Sequence, residues 1–266
     1  TCALPIFAQE AKLQPISEIA AKAGIRPEEL EQVGQFRGKV RLSLLERLEG
    51  RPDGKLVIVT AITPTKAGEG KTTTSVALTM GLGQVGKSVM LCLREPSMGP
   101  VFGVKGGGTG GGYAQIGPME DINLHFNGDF HAVTAAHNLL AAALDASIFN
   151  GNPLGIDPSS VTWPRAVDMN DRELRYAVVG LGGKAHGVPR EHQFVITAAS
   201  EVMAVFALAS DLHDLRQRLG RLVVASTYTG EPVTAEMLKV AGAMTVVMKD
   251  AIKPNLLQTL EGQPAL

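Results

Sequence analysis

The stretch LVIVTAITPTKAGEGKTTT, residues 56–74, decides the predicted fold of this chain. It opens with a short β-branched apolar run, which predicts a strand over 55–61 that is buried on both faces. A loop punctuated by glycines follows, and residues 72–82 are rich in the small and apolar side chains of a helix. Strand, glycine loop, Lys-Thr and helix is the arrangement of a phosphate-binding loop. The stretch therefore predicts binding of a nucleotide through its phosphates.

The chemistry of this loop agrees with its arrangement. Gly68 and Gly70 allow backbone N–H groups to turn toward an anion, and the following helix adds the positive end of its dipole. Lys71 would reach the outer phosphates, while the Thr72 hydroxyl would ligate Mg²⁺. The predicted nucleotide-binding residues are those of the whole loop, namely Thr65, Lys66, Ala67, Gly68, Glu69, Gly70, Lys71 and Thr72.

Two residues of the loop depart from the full P-loop pattern. Thr65 stands where the pattern has glycine, and Lys66 produces KAGEGKTT, which is similar to variant P-loops that carry an extra signature lysine. An ordinary glycine-rich turn is the alternative. At ~7% glycine, a chance Gly-x-Gly-Lys-[Ser/Thr] is on the order of one in a hundred for such a chain. The motif with a strand before it and a helix after it therefore favours phosphate binding.

Composition supports the same fold class. The 266 residues are 45% hydrophobic and only 5% aromatic, with 30 glycines. These values favour an α/β protein over a β-sandwich. Residues 88–93 predict a second strand, which would complete a right-handed βαβ unit with the first. The predicted fold is α/β, a doubly wound, mostly parallel sheet of the P-loop NTPase type.

Charge and cysteine content exclude some classes of partner. The net charge is −1, so nothing indicates nucleic acid or an anionic membrane as a partner. Cys2 and Cys92 are far apart without metal-like spacing, which favours a reduced, cytoplasmic setting. Charges and glycines interrupt every apolar run before the ~20 residues that span a bilayer.

Weaker patterns predict the remaining elements. They indicate an amphipathic segment over 40–48, helices over 16–23, 27–33, 129–146, 198–208, 212–219 and 235–240, and strands over 121–126, 176–179, 222–225 and 243–248. The glycine loop at 180–187 resembles a phosphate loop only loosely, and a long βα connection is its alternative. His125, His131 and His137 are spaced by six, which does not place them on one helical face and predicts no metal cluster.

A dense glycine run at 106–112 follows the second predicted strand. A flexible linker is one interpretation. Apolar and aromatic residues flank the run, and it follows a strand of the sheet that carries the phosphate loop. These observations favour a loop that faces a ligand.

Several long motifs together resemble one family, formate–tetrahydrofolate ligase. Residues 63–74 resemble its ATP-binding signature, and REPSMGP at 94–100, the glycine run and NLHF at 123–126 resemble its second signature. Further similar segments lie at 129–138, 167–172, 179–183 and 249–256. Family members run to roughly twice this length. The resemblance therefore predicts that 1–266 is the N-terminal, ATP-binding part of a longer ligase. An α/β subdomain would be inserted at about 125–240, and the C-terminal part would be absent.

The resemblance also implies an activity and residue roles. The activity is carbon–nitrogen ligation of formate to tetrahydrofolate, giving 10-formyltetrahydrofolate, ADP and phosphate through formyl phosphate. Lys71 and Arg94 would be the catalytic residues, with the Arg94 guanidinium as a bidentate clamp for the formate carboxylate. Thr72 would hold Mg²⁺, and Glu95 would help to hold a monovalent cation. Formate, tetrahydrofolate and ATP are the expected partners, and the full-length protein would be a homo-oligomer.

Two alternatives come from other classes. A regulatory or partitioning ATPase with a variant P-loop would hydrolyse ATP without formate. The second alternative is that this chain is only a binding or inactive module, because the family's C-terminal part would carry the adenine and folate contacts. For the 266-residue chain alone, weak ATP binding and no complete turnover are expected.

Overall fold

The computed structural model describes residues 4–63, 65, 68–103 and 107–266. The α-helices of these ranges are α1 (Leu4–Glu10), α2 (Ile16–Lys22), α3 (Ser43–Leu48), α4 (Lys71–Gln84), α5 (Met98–Val101), α6 (Met119–Asn123), α7 (Asp129–Phe149), α8 (Glu201–Leu208), α9 (Leu212–Gly220) and α10 (Ala241–Met248). The strands are β1 (Leu30–Val33), β2 (Arg37–Val40), β3 (Gly110–Gly111), β4 (Ala114–Gly117), β5 (Arg165–Val167), β6 (Ala177–Val179), β7 (Arg190–His192), β8 (Phe194–Ile196), β9 (Val223–Ser226), β10 (Pro232–Thr234), β11 (Asn255–Thr259) and β12 (Pro264–Ala265).

The chain divides into two compact units. The first unit consists of Thr1–Asn127 and Lys253–Leu266, and the second consists of Gly128–Ile252. One uninterrupted segment therefore forms the second unit, between the two segments of the first.

The first unit contains an antiparallel sheet. Its strand order is β1-β2-β11-β4-β3, and β12 pairs with β11. Ile16 and Ile19 of α2 are fully buried and pack with Val40 and Leu256. The two segments of this unit thus share one core, because β11 comes from the second segment and β2 from the first.

Helix α4 is held in the first unit by its own apolar cluster. Val76 and Met80 pack with Leu91, Leu257 and Ala265. Leu91 forms a parallel bridge with Ala265, the Leu91 N–H donates to the Pro264 carbonyl over 3.1 Å, and the Leu93 N–H donates to Leu266 over 2.8 Å. The residues just before Arg94 are therefore fixed against both α4 and the last residues of the chain.

The second unit is built around α7. The buried face of α7, which includes Leu140 and Leu144, packs in one core with Leu215, Met244 and Trp163. By length and composition α7 could cross a membrane. The buried apolar face of α7 is instead typical of the central helix of a packed domain. Strands β5 and β8 pair in parallel, whereas β9–β10 and β6–β7 pair antiparallel.

The α/β class predicted from the sequence is confirmed, with a parallel pair among its strands, but two predicted strands are not formed. Residues 55–61 have no strand partner, and Leu56, Val57 and Ile58 are 84%, 63% and 74% exposed. The strand predicted over 88–93 is reduced to the Leu91 bridge. A strand needs a neighbour for its backbone hydrogen bonds. Residues 55–61 have none in the described chain, and residues 88–93 have one only over 91–93.

The strand predicted over 121–126 is wrong. Residues of this segment belong to α6, which begins after Pro118 and carries Glu120 and Asp121 in its first turn. Acidic residues at a helix N-terminus are stabilised by the helix dipole. The two acidic residues therefore favour a helix here, although apolar and polar residues alternate over 121–126 as they would in a strand. Phe126 then takes a left-handed conformation with φ of 42°, which no strand contains.

Two predictions near the end of the second unit are also wrong. Residues 243–248 were predicted as a strand and belong to α10, where Ala241, Met244 and Met248 are buried. The spacing of these three residues is helical, whereas a short apolar run alone does not separate a helix from a strand. The helix predicted over 235–240 is a series of turns, and Lys239 with φ of 58° is incompatible with it.

Three further segments differ from the prediction. Residues 27–33 form one 3₁₀ turn and then β1 rather than a helix, and residues 40–48 contain the end of β2 before α3 begins. The glycine loop at 180–187 joins the antiparallel strands β6 and β7, so it is not a βα connection. The other predicted elements are confirmed, although their ends are shifted. They are the helices at 16–23, 72–82, 129–146, 198–208 and 212–219 and the strands at 176–179 and 222–225.

Candidate functional site

The glycine loop leads directly into α4. Gly68 and Gly70 have φ of 84° and 72°, and Gly70 is the N-cap of the helix. These left-handed conformations are the reason why glycine is needed at both positions. Lys66 and Ala67 of the predicted site lie outside the described residues.

The N-terminus of α4 presents the predicted phosphate ligands. Lys71 is the first residue of the helix, and Thr72, the second, is partly exposed. The Thr74 N–H donates to the Gly70 carbonyl over 2.9 Å, which closes the first turn. The N–H groups that begin an α-helix have no partner within it, so this end of α4 can accept an anion.

A carboxylate lies within this loop. Glu69 Oε2 accepts a hydrogen bond from Lys71 Nζ over 2.7 Å, and Glu69 Oε1 accepts one from the Thr65 N–H. The Lys71 ammonium is the main reason why the pKa of Glu69 falls to about 2, and the Thr65 N–H lowers it further. Glu69 is therefore ionised at neutral pH, and the sequence did not predict its contact with Lys71.

Arg94 follows the segment that is fixed against α4. It is exposed, and it forms no ion pair with any residue in the described ranges, Glu95 included. Leu91, three residues earlier, packs against Val76 and Met80 of α4. One apolar cluster thus anchors both the helix that begins at Lys71 and the segment that ends at Arg94.

The glycine run is packed against the loop after Arg94. The Gly108 N–H donates to Asn123 Oδ1 over 2.9 Å. A Cβ on Gly108 would lie 2.5 Å from Pro96 Cβ, and one on Gly107 would lie 2.7 Å from Asn123 Nδ2. These close approaches explain why glycines stand here. A flexible linker is the wrong interpretation for this part of the run, while its contact with a ligand stays a prediction.

Replacing Gly110 with alanine is expected to destabilise the first unit. Gly110 has φ of 102°, and its added Cβ would lie 2.1 Å from the Ala114 carbonyl oxygen. Such a conformation alone costs a non-glycine residue about 1–3 kcal/mol, and the contact adds to that cost. Gly81→Ala is the matched control, because Gly81 is exposed inside α4 with open space around it. It should stabilise the helix by about 0.5–1 kcal/mol. Urea unfolding of both variants measures the difference, and equal stability would contradict the packing of the run.

The donors around Thr72 suit Mg²⁺ bound together with phosphates. Mg²⁺ prefers oxygen ligands and is often held by one or two protein groups plus phosphate oxygens and water. The Thr72 hydroxyl and the anion-accepting end of α4 meet that requirement. Among the described residues no group of three or more His, Cys, Asp or Glu is placed to hold a metal ion. His125 and His131 are exposed, whereas His137 is buried against Ser200 and the Pro164 carbonyl.

The second unit has a cleft of about 330 Å³ that runs along β8 and past the carboxyl end of β5. Ligands of α/β proteins often bind beyond the carboxyl ends of parallel strands. The cleft is lined by Val167, Met169, Asn170, Asp171, Arg172, Arg175, Phe194, Val195 and Ile196. Residues 167–172 were singled out from the sequence as similar to the family, and most of them line the cleft. The parallel pairing of β5 and β8 was not predicted.

A partly buried charge cluster in the second unit was also missed. Asp145 forms ion pairs of 2.6 Å with both Arg165 and Arg190, and Arg165 lies 3.1 Å from His192 Nε2. Burial, followed by the two guanidinium groups, lowers the pKa of His192 to about 4. His192 is therefore neutral at physiological pH. No local pattern could indicate this cluster, because Asp145 and Arg165 are distant in sequence from each other and from Arg190 and His192.

The glycine loop, Lys71 and Thr72 at the start of α4 define a candidate nucleotide-phosphate site in an α/β protein. The family model for formate–tetrahydrofolate ligase matches residues 5–266, which is nearly the whole chain. The chain belongs to the formate–tetrahydrofolate ligase family.

Two relatives show how much of the family's length is present. The chain is 61% identical over 260 residues to the formate–tetrahydrofolate ligase of Methylobacillus flagellatus, covering 98% of this chain and 47% of that protein. It is 59% identical to that of Desulforamulus reducens, covering 98% of this chain and 46% of the relative. The chain thus spans about half the length of the curated relatives it matches.

Proposed function

We propose that the full-length protein ligates formate to tetrahydrofolate with ATP, giving 10-formyltetrahydrofolate, ADP and phosphate. The observation that carries this proposal is the family match over nearly the whole chain. The geometry at α4 supports it, because Lys71 and the open helix N-terminus are suited to phosphate groups. Phosphoryl transfer depends mainly on positioning and charge stabilisation, which such a site supplies.

Lys71, Thr72 and Arg94 have distinct roles in the proposal. Lys71 neutralises charge on the outer phosphate oxygens, and residues 65–72 hold the phosphates through the backbone N–H groups of the loop. Thr72 holds Mg²⁺, which supplies further positive charge at the phosphates when it is bound. Arg94, exposed and without an ion pair within the described ranges, binds the two oxygens of formate and later those of formyl phosphate.

We also propose that the doubly wound P-loop sheet forms in the full-length protein. Leu56, Val57 and Ile58 are apolar and mostly exposed, and burying one such side chain is worth about 1.5–3 kcal/mol. The relatives have about as much chain again as the part matched here. That additional chain would cover this run and pair with it as a strand.

The remaining assignments follow from the same proposal. Residues 1–266 act as the ATP-binding part, with an inserted α/β subdomain at about 125–240. Glu95 contributes to a monovalent cation site. The full-length protein is a cytoplasmic homo-oligomer that binds neither nucleic acid nor a membrane, and the net charge of −1 of these 266 residues agrees with this.

The proposal is tested by measuring ADP formation with and without formate in the chain extended to full length. We expect ADP formation to need both formate and tetrahydrofolate for sustained turnover. ADP formation that is unaffected by formate would contradict the proposal. That result would favour the regulatory or partitioning ATPase.

A further inference from the structure

Three donors of the phosphate loop are already engaged within the loop. The Glu69 carboxylate accepts hydrogen bonds from the Lys71 ammonium and the Thr65 N–H, and the Gly68 N–H donates to the Thr65 carbonyl over 3.2 Å. A carboxylate is an anion with the same preference for these donors as a phosphate oxygen. Glu69 therefore lies where a nucleotide phosphate would need to bind.

The contact is fixed by its surroundings more firmly than most surface ion pairs. The Glu69 side chain is only 18% exposed, and each of its oxygens has its own donor. The left-handed Gly68 and Gly70 on either side turn the backbone so that Glu69 faces back into the loop. The low pKa of Glu69 means that the carboxylate keeps its charge at every pH at which the protein would work.

We infer that Glu69 is an internal competitor of the nucleotide phosphates for Lys71. An incoming phosphate first meets the open N–H groups at the start of α4 and then displaces Glu69 from Lys71 and Thr65. Glu69 thereby lowers the affinity of the loop for small anions and for nucleotides. This inference rests on the proposed function of the loop, and it assigns Glu69 a positioning role that acts through Lys71.

The competition has a consequence for selectivity. A ligand with a single weak anionic group gains little by replacing an equivalent carboxylate. A polyphosphate gains more, because it also occupies the open N–H groups of the first turn of α4. Glu69 thus favours ligands with several phosphates over inorganic phosphate.

The test is calorimetric binding of pyrophosphate and of ATP, without metal, to the 266-residue chain and its variants. Glu69→Gln removes the charge and keeps the shape of the side chain. We expect it to bind pyrophosphate about three- to tenfold more tightly than the parent chain, the range expected for freeing Lys71 from one partly exposed ion pair and its hydrogen bonds. Glu18→Gln removes the same charge from an exposed position on α2 and should leave the affinity unchanged.

Two further variants distinguish direct contact between Glu69 and Lys71 from repulsion of the anionic ligand by the Glu69 charge. Glu69→Asp keeps the charge but shortens the side chain, so its affinity should move toward that of Glu69→Gln. In a Lys71→Ala background Glu69→Gln should have little effect, since no ammonium remains to be released. Affinity of Glu69→Asp equal to the parent, beside a gain in Glu69→Gln, would mean repulsion at a distance and overturn the inference.

The remaining outcomes distinguish this inference from the proposed function. If the parent chain binds ATP and Glu69→Gln binds equally or more weakly, the competitor role is wrong while the phosphate loop stands. If neither protein binds ATP or pyrophosphate, both the competitor role and phosphate binding by the loop are wrong. Binding by Glu69→Gln alone would support the inference most strongly.

Discussion

Replacing Lys71 with alanine in the full-length protein is expected to lower kcat for formate-dependent ADP formation by about 10²–10³-fold, the loss typical of removing one charge-stabilising donor. Lys71 begins α4, and its ammonium is held at the loop by Glu69 over 2.7 Å. No other side chain of the described loop is cationic. Steady-state ADP release at saturating formate measures the loss.

Lys87→Ala is the matched control for this substitution. Lys87 is an exposed lysine just beyond the opposite end of α4, and removing it changes the net charge by the same amount. The kcat of the Lys87→Ala variant should equal that of the parent protein. If Lys71→Ala kept more than a tenth of the parent activity while Lys87→Ala was unchanged, the assignment of Lys71 to the phosphates would be wrong.

Replacing Arg94 with alanine is expected to raise the KM for formate and leave the KM for ATP nearly unchanged. Hydrogen bonds to charged groups contribute about 1.5–3 kcal/mol, which corresponds to about a 10- to 150-fold higher KM for formate. Arg94→Lys should restore little, because an ammonium does not reproduce the planar, bidentate contact of a guanidinium with a carboxylate. Initial rates over a grid of formate and ATP concentrations measure both constants.

Arg51→Ala is the matched control for Arg94. Arg51 is exposed in the same unit and precedes the glycine loop. Its variant should keep both constants at the parent values. A rise in the KM for ATP as large as that for formate would show that Arg94 contacts the nucleotide, and would refute its assignment to formate.

Short-range chemistry explains which elements could be predicted. The start of α4 is set by Gly70, Lys71 and Thr72, whose spacing is recognisable without knowledge of any partner. The long helix α7 has an extended apolar pattern, so its prediction was also confirmed. Each of these features depends on residues within a few turns of one another.

Elements that depend on distant partners were predicted poorly. Residues 243–248 are apolar enough for a strand, but in the structure they belong to α10, which packs against α7 and α9. The run at 56–58 has strand chemistry but no neighbour in the described chain. Whether such a segment is a strand depends on hydrogen-bond partners elsewhere, which local sequence does not contain.

The candidate site shows the same division. Its residues, from Thr65 to Thr72 together with Arg94, were all named from sequence, and their roles stay predictions. The position of Glu69 on Lys71 was not foreseen, because a carboxylate two residues from a lysine forms an ion pair only in a particular backbone conformation. The left-handed Gly68 and Gly70 provide that conformation.

The sequence by itself determined the family, the α/β class and the glycine loop that leads into α4, because each is written in contiguous motifs whose chemistry is local. Only the tertiary structure decided that β11 joins the sheet of the first unit, that the glycine run packs against Pro96 and Asn123, and that Glu69 engages Lys71. These features depend on backbone geometry and on contacts between residues far apart in the chain. Such contacts are set by the packing of the whole unit.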